Sequence, residues 1–317
     1  MKKVIISAIT ALVLFSCQSE SSESANPDAA IASRRACATQ DVLEAQLKAD
    51  PTLAVRMNEI EAFTNKALLT GKLVNGKIEI PVVVNVLYRT TAENISATQI
   101  QSQIDVLNKD FNALNSDYNS VPALFAGVKA NIGITFVLDQ IIRKSTTKTS
   151  WGTNDAMKKT AQGGLAPTSP TTKLNIWSCT IGNNILGYAQ FPGGASSTDG
   201  VVIDPRYFGL SGAANAPFNL GRTGTHEVGH WLNLRHIWGD ATCGSDLVAD
   251  TPTHNEENYG NPAYPHYSTC SGTPVEMTMN YMDYVNDNAM YMFSTGQKNR
   301  ISAIFASGGA RNSFAQP

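Results

Sequence analysis

Three of the five histidines in the chain fall between residues 225 and 240, in the run THEVGHWLNLRHIWGD. His226 and His230 are four apart, so on a helix they lie one turn apart on one face, with Glu227 between them. Two imidazoles so placed can share one metal, and the neighbouring carboxylate can take a proton; the spacing H-E-x-x-H suits zinc-dependent hydrolysis. His236 would complete the ligand set, but an unbroken helix would carry it about 15 Å along the axis from His226. It returns to the same metal only if the helix stops and the chain reverses, which needs a residue tolerant of left-handed backbone. Asn233 stands at that point, and Asn is the residue after Gly that best accepts a positive φ. Three neutral imidazoles leave a fourth zinc position for water, with Glu227 as the general base that takes its proton.

The elements that must hold these residues can be read on either side. Upstream, residues 78–88 (IEIPVVVNVLY) predict a buried strand rich in β-branched side chains. Ser96 is placed to cap a helix whose apolar stripe is Ile100, Ile104, Leu107, Phe111 and Leu114. Residues 132–142, 174–179, 187–191 and 200–204 predict further strands, and strands interrupted by one long helix predict an α+β domain with an open mixed sheet. After residue 219 come one helix, a long stretch full of Gly, Pro, Asn and Asp, and a last helix near 296–306. So long an irregular run signals function, a metal or a covalent staple. Residues 41–70 read as helix in two pieces around Pro51, with Val42, Leu43, Leu47, Leu53, Met57, Ile60 and Phe63 at threes and fours.

The first 17 residues, MKKVIISAITALVLFSC, carry Lys2 and Lys3 before a short apolar run. The run is shorter than the roughly 20 residues that span a bilayer and fits an export signal. Leu14-Phe15-Ser16-Cys17 resembles the lipobox of bacterial lipoproteins, which implies a lipidated Cys17. The expectation is an exported protein at the outer membrane or cell surface, touching membrane through lipid only, with release after processing a further option. Residues 18–33 (from QSESSESANPDAA onward) read as a flexible tether. The 24 Lys and Arg against 26 Asp and Glu give a charge of −2, which argues against nucleic acid as partner. A monomer is expected. Five cysteines are an odd number, and lipid on Cys17 removes one from the disulfide arithmetic.

At His226, Glu227, His230 and His236 the sequence resembles the metzincin metalloproteases, and among them the pappalysin family, with Asn233 where the metzincin pattern has Gly. Residues 280–284 (NYMDY) look like the Met-turn. There the resemblance makes Met282 a hydrophobic floor under the metal and Tyr284 a group that helps bind the reacting carbonyl. Cys243, the run DLVADTP at 246–252 and Cys270 are similar to the same family, and the likeness covers residue 78 to the C-terminus. It implies a metzincin-type zincin catalytic domain at 77–317, with a mixed twisted sheet and an active-site helix, preceded by a short helical propeptide at 34–76. The implied activity is a zinc endopeptidase acting on extracellular proteins or peptides, which an edge strand at 187–191 would hold extended. Also implied are a bridge between Cys243 and Cys270 and calcium bound through Asp246, Asp250 and Thr251. A second bridge common in relatives would match Asn261 and Ala289, and is missing. Asp287, just past the Met-turn, is a candidate for selecting a basic residue after the scissile bond.

An open zinc site needs blocking until export is complete. Cys37 is a candidate latency ligand through its thiolate and Asp41 through its carboxylate, while pairing of Cys37 with another Cys is the competing reading. Cleavage near 66–77 would yield the active form. Cys179 is expected as a buried thiol, and His254 and His266 as surface residues outside the ligand set. The alternative function is a lipid-anchored binding protein on a catalytically degenerate metzincin fold. Glu227 discriminates, because a structural zinc site has no use for a general base.

Overall fold

β-Branched runs build the centre of the molecule. The computed structural model describes residues 32–71 and 78–315; the export signal, Cys17, most of the tether and the 72–77 part of the expected cleavage region lie outside them. In chain order the elements are α1 (Thr39–Ala49), α2 (Thr52–Thr70), β1 (Ile78–Tyr88), α3 (Ala97–Phe111), β2 (Lys129–Ala130), β3 (Ile134–Ser145), β4 (Leu174–Ser178), β5 (Gly187–Ala189), β6 (Val201–Ile203), α4 (Arg222–Trp231), β7 (Phe293–Ser294) and α5 (Thr295–Phe305).

Five strands form a sheet in the order β3-β1-β4-β6-β5, all neighbours parallel except β5, which runs antiparallel to β6 at one edge. Val82, Val83, Val84 and Val86 of β1 are fully buried, as expected of a strand covered on both faces. The apolar stripe of α3 (Ile100, Ile104, Leu107, Phe111) and Val228 and Trp231 of α4 join one core with the sheet. Ser96 caps α3 by accepting from the Gln99 amide. Leu114 does not continue the stripe: α3 ends at Phe111, Ala113 takes a φ of 55°, and Leu114 faces solvent.

The two N-terminal helices break at Asp50–Pro51, and α2 ends on Gly71 in the left-handed conformation. Leu43 and Leu53 pack on Phe191 just past β5, so the helices dock where the sheet edge ends. Among the described residues no helix is long and apolar enough to cross a membrane.

Between α4 and β7 the only regular element described is a 3-10 turn at Asp287–Ala289. The Cys243–Cys270 disulfide closes part of this stretch. A buried polar knot closes more of it. The Asn258 side-chain amide donates to Glu276 Oε2 at 2.8 Å and Asp283 Oδ2 at 3.1 Å, and the Met277 amide donates to His254 Nε2 at 3.0 Å. His254 is therefore fully buried, contrary to its expected surface place; a loop without secondary structure must satisfy its backbone with side chains. His266 is partly exposed and faces Glu276 Oε2 at 2.9 Å.

Candidate active site

α4 presents His226, Glu227 and His230 from a helix whose ten residues are all buried. Its C-terminal end turns at Asn233, whose φ of 74° supplies the left-handed step the spacing demanded. The chain then returns His236 to the first two histidines. His230 Nε2 lies 3.2 Å from His226 Nε2 and 3.0 Å from His236 Nε2. Tetrahedral zinc with bonds of 2.0–2.1 Å would need nitrogens roughly 3.3 Å apart, so the donor set fits zinc closely.

The other face of each ring fixes which nitrogen is free. His226 Nδ1 donates to the Tyr281 carbonyl at 2.7 Å and His230 Nδ1 to the Leu234 carbonyl at 2.8 Å. A carbonyl can only accept, so both Nε2 lone pairs point inward. His236 Nδ1 is held by the Asp240 carboxylate. Burial lowers the pKa of His226 and His230 well below the usual imidazole range and keeps them neutral, as a metal requires. Trp238 stacks on His236 at 4.4 Å between ring centres, and Tyr284 meets the same ring edge-on at 4.9 Å.

Met282 is fully buried behind α4. A side-chain carbon added at Gly229 would lie 2.5 Å from Met282 Sδ, so glycine is what lets the thioether come this close. The Met282 carbonyl accepts from the Ile237 amide at 3.1 Å, which ties this turn to the loop carrying His236. Glu227 is buried and its carboxyl is pushed up to about 7, chiefly by desolvation, against hydrogen bonds from Cys37 and Thr39.

Those two partners come from the N-terminal segment, which crosses the site. Cys37 forms a parallel bridge with Gly187, the Ala38 amide donates to the Gly187 carbonyl at 3.1 Å, and the Leu186 amide to the Ala36 carbonyl at 2.9 Å. This brings Cys37 Sγ to the histidines: the four donor atoms of Cys37, His226, His230 and His236 all lie within 4.8 Å of one another. The thiol donates to Glu227 Oε2 at 3.3 Å, and the Thr39 hydroxyl to the same oxygen at 3.0 Å. The Tyr284 hydroxyl donates to the carbonyl of Cys37 at 3.1 Å, a peptide carbonyl already seated beside the histidines. Asp41 is not there. Helix α1 begins at Thr39 and turns Asp41 outward, where it is exposed, so Cys37 alone of the two expected latency residues reaches the site.

On the other side of Cys37, Arg35 fills a pocket. Its guanidinium is buried, with Nη2 2.6 Å from Asp287 Oδ1, Nη1 donating to Thr223 Oγ1 at 3.2 Å and Nε to the Val285 carbonyl at 3.3 Å. It lies over the Phe218 ring at 5.0 Å. Asp287 Oδ2 accepts from the Leu220 and Arg222 amides, so the carboxylate is fixed at the pocket floor.

The three residues expected to bind calcium do not converge. Thr251 Oγ1 lies 2.9 Å from both Asp246 oxygens and from the Val248 carbonyl. Asp250 turns away to accept from Ser294 Oγ and the Gly296 amide at the start of α5, because those unpaired donors compete for it. Cys179 is a buried free thiol. Sequence reading missed Asp240, Thr39 and the pocket role of Arg35. Asp240 had a local signal, four residues after His236; Arg35 and Thr39 had none, since their partners are about 190 to 250 residues away.

Residues 176–306 match peptidase family M43, described as pregnancy-associated plasma protein-A. An extracellular metalloprotease of Arthroderma benhamiae is 31% identical over 71% of this chain and 76% of its own length. One from Pyricularia oryzae is 30% identical over 85% and 88%. Among solved structures, mature mirolysin of Tannerella forsythia in complex with a cleaved peptide is 42% identical, with a TM-score of 0.74 over 76% of this chain and 97% of that one. A promirolysin mutant from the same organism is 38% identical, with a TM-score of 0.81 over 89% and 97%.

Proposed function

The chain belongs to the M43, or pappalysin, family of metzincin zinc metalloendopeptidases, and from that premise we propose that it is a latent, exported endopeptidase that cuts extended peptides with Glu227 as general base. The observation that carries this reading is the convergence of three imidazole Nε2 atoms with a buried Glu227 beside them. His226, His230 and His236 are the residues that would hold zinc. When bound, the metal supplies Lewis acidity and lowers the pKa of a water to about 7. Glu227, beside the three imidazoles, takes the proton and returns it to the leaving amine. The Tyr284 hydroxyl, which here donates to the Cys37 carbonyl, donates to the scissile carbonyl oxygen as negative charge builds there.

Substrate would replace the N-terminal segment along β5, using the Leu186 amide and Gly187 carbonyl for backbone pairing. Arg35 in its pocket supports a preference for a basic side chain on the Asp287 side of the scissile bond. Residues 34–76 act as the prosegment, with the Cys37 thiolate as the ligand that excludes water from the metal. The larger share of the chain that matches the pro form supports that assignment. The relatives named as extracellular support export, and the motif ending at Cys17 supports a lipid anchor. Asp246, Thr251 and the Val248 carbonyl remain the candidate calcium donors.

The test is peptide hydrolysis by the full chain before and after limited proteolysis, with Glu227→Ala, Cys37→Ala and Asp287→Asn beside it. A chelator should abolish hydrolysis. Glu227→Ala should lose about 10²- to 10⁴-fold while still binding one zinc. Cys37→Ala should be active uncut, and Asp287→Asn should lose the preference for a basic side chain. Chelator-insensitive hydrolysis, or full activity in Glu227→Ala, would sink the mechanism; equal rates for the uncut chain and for the cut chain freed of residues 34–76 would sink latency.

A further inference from the structure

The N-terminal segment is attached to the catalytic body at a second place, away from Cys37, Thr39 and Arg35. Glu61, midway along α2, meets Arg300 of α5 in a fork: Nη1 to Oε1 and Nη2 to Oε2, both 2.6 Å. The Arg300 side chain is 2% exposed, and its Nε donates to the Asn233 carbonyl at 2.8 Å, which aims the fork. Contacts surround the pair. Arg56 Nε donates to the Gly193 carbonyl at 2.8 Å, Ile60 closes over Gly193, and Phe63 lies against Gly308. Leu53, Thr64 and Ala67 are buried along the same helix.

Paired forks of this kind are the strong form of ion pair, because geometry and charge act together. Removing the carboxylate leaves the buried Arg300 guanidinium without its counter-charge. Cutting the chain between α2 and β1 removes the tether, and with it the effective concentration of the segment. It removes none of the contacts just described.

We propose that Arg300, with the surface from Gly193 to Gly308, is an exosite for a carboxylate-bearing helix, and that its occupant after cleavage is the prosegment itself, retained and able to rebind in trans. This rests on residues 34–76 being an inhibitory prosegment. Activation is then completed by loss of the Glu61–Arg300 pair, after the peptide bond is cut.

The experiment cuts the full chain once between α2 and β1 by limited proteolysis and follows association by native mass spectrometry and size exclusion on dilution. Wild type should persist as a one-to-one complex. Glu61→Gln, conservative and on a partly exposed residue, should come apart at about 30-fold higher concentration or more. Dissociation of wild type and Glu61→Gln at the same concentration would overturn the proposal. So would displacement of the prosegment by an unrelated acidic helical peptide at matching concentration, which would assign the site to substrate capture. Association does not depend on hydrolysis, so a failure of the zinc mechanism would leave this readout intact.

Discussion

Asp240 and Asp246 lie six residues apart, and their surroundings give the two carboxyls different work. Asp240 holds His236 through Nδ1, and such partners of zinc-binding histidines set ring orientation and ligand basicity. Asp246 is buried in its loop, and desolvation pushes its carboxyl up to about 7, against hydrogen bonds from the Thr251 hydroxyl and the Val248 amide. A pKa raised on folding means the folded state binds the proton more tightly. The resulting stability is fully present below the unfolded value near 4 and is lost as pH rises through about 7. Asp246→Asn cannot titrate. In calcium-free buffer, wild type should lose up to about 4 kcal/mol relative to that variant between pH 4 and pH 8, read from denaturant midpoints. A flat difference across that range would remove Asp246 from the pH response.

At the scale of elements, α4 was the most legible part of the chain and Asn233 its most informative residue. The expected left-handed step is present, and the Asn233 carbonyl is taken by Arg300. Its side-chain Nδ2 is buried without a protein partner. Asn233→Gly should therefore leave thermal unfolding and zinc content unchanged within about 0.5 kcal/mol, or raise stability, because it removes a desolvated amide and keeps the backbone. Asn233→Ala should cost roughly 1–2 kcal/mol and loosen zinc, since Ala resists positive φ. A Gly variant less stable than the Ala variant would refute the backbone explanation. The strand ranges were also readable, because β-branched runs bounded by turn residues leave few alternatives. Pairing order was not: the reversal of β5 against β6 depends on how the chain between them folds back.

At the scale of the whole molecule, the irregular stretch after α4 holds its shape by two different means. The Cys243–Cys270 bridge spans 27 residues, and closing a loop of that size restricts the unfolded chain by about 3–4 kcal/mol. The buried knot of His254, Asn258, Glu276 and Asp283 holds the remainder, in a chain that lacks cysteines at Asn261 and Ala289. Replacing both cysteines by Ser should lower the unfolding temperature by about 10 °C while the histidines still bind zinc at low temperature, because all three precede the bridge. Loss of zinc binding in the folded variant would make the bridge part of the metal centre.

By itself the sequence determined the ligand spacing, the break at Asn233 and the order of the main strands and helices along the chain. Each follows from periodicities or backbone preferences that act over a few residues. Tertiary structure alone decided that Arg35 reaches Asp287, that Thr39 shares Glu227 with Cys37, that Asp41 faces solvent, and that Glu61 meets Arg300. Those pairs lie about 190 to 250 residues apart, except Asp41, whose outward turn was set by where α1 begins. Long-range pairing leaves no local period to read, because it is chosen by which surfaces the packed core brings together.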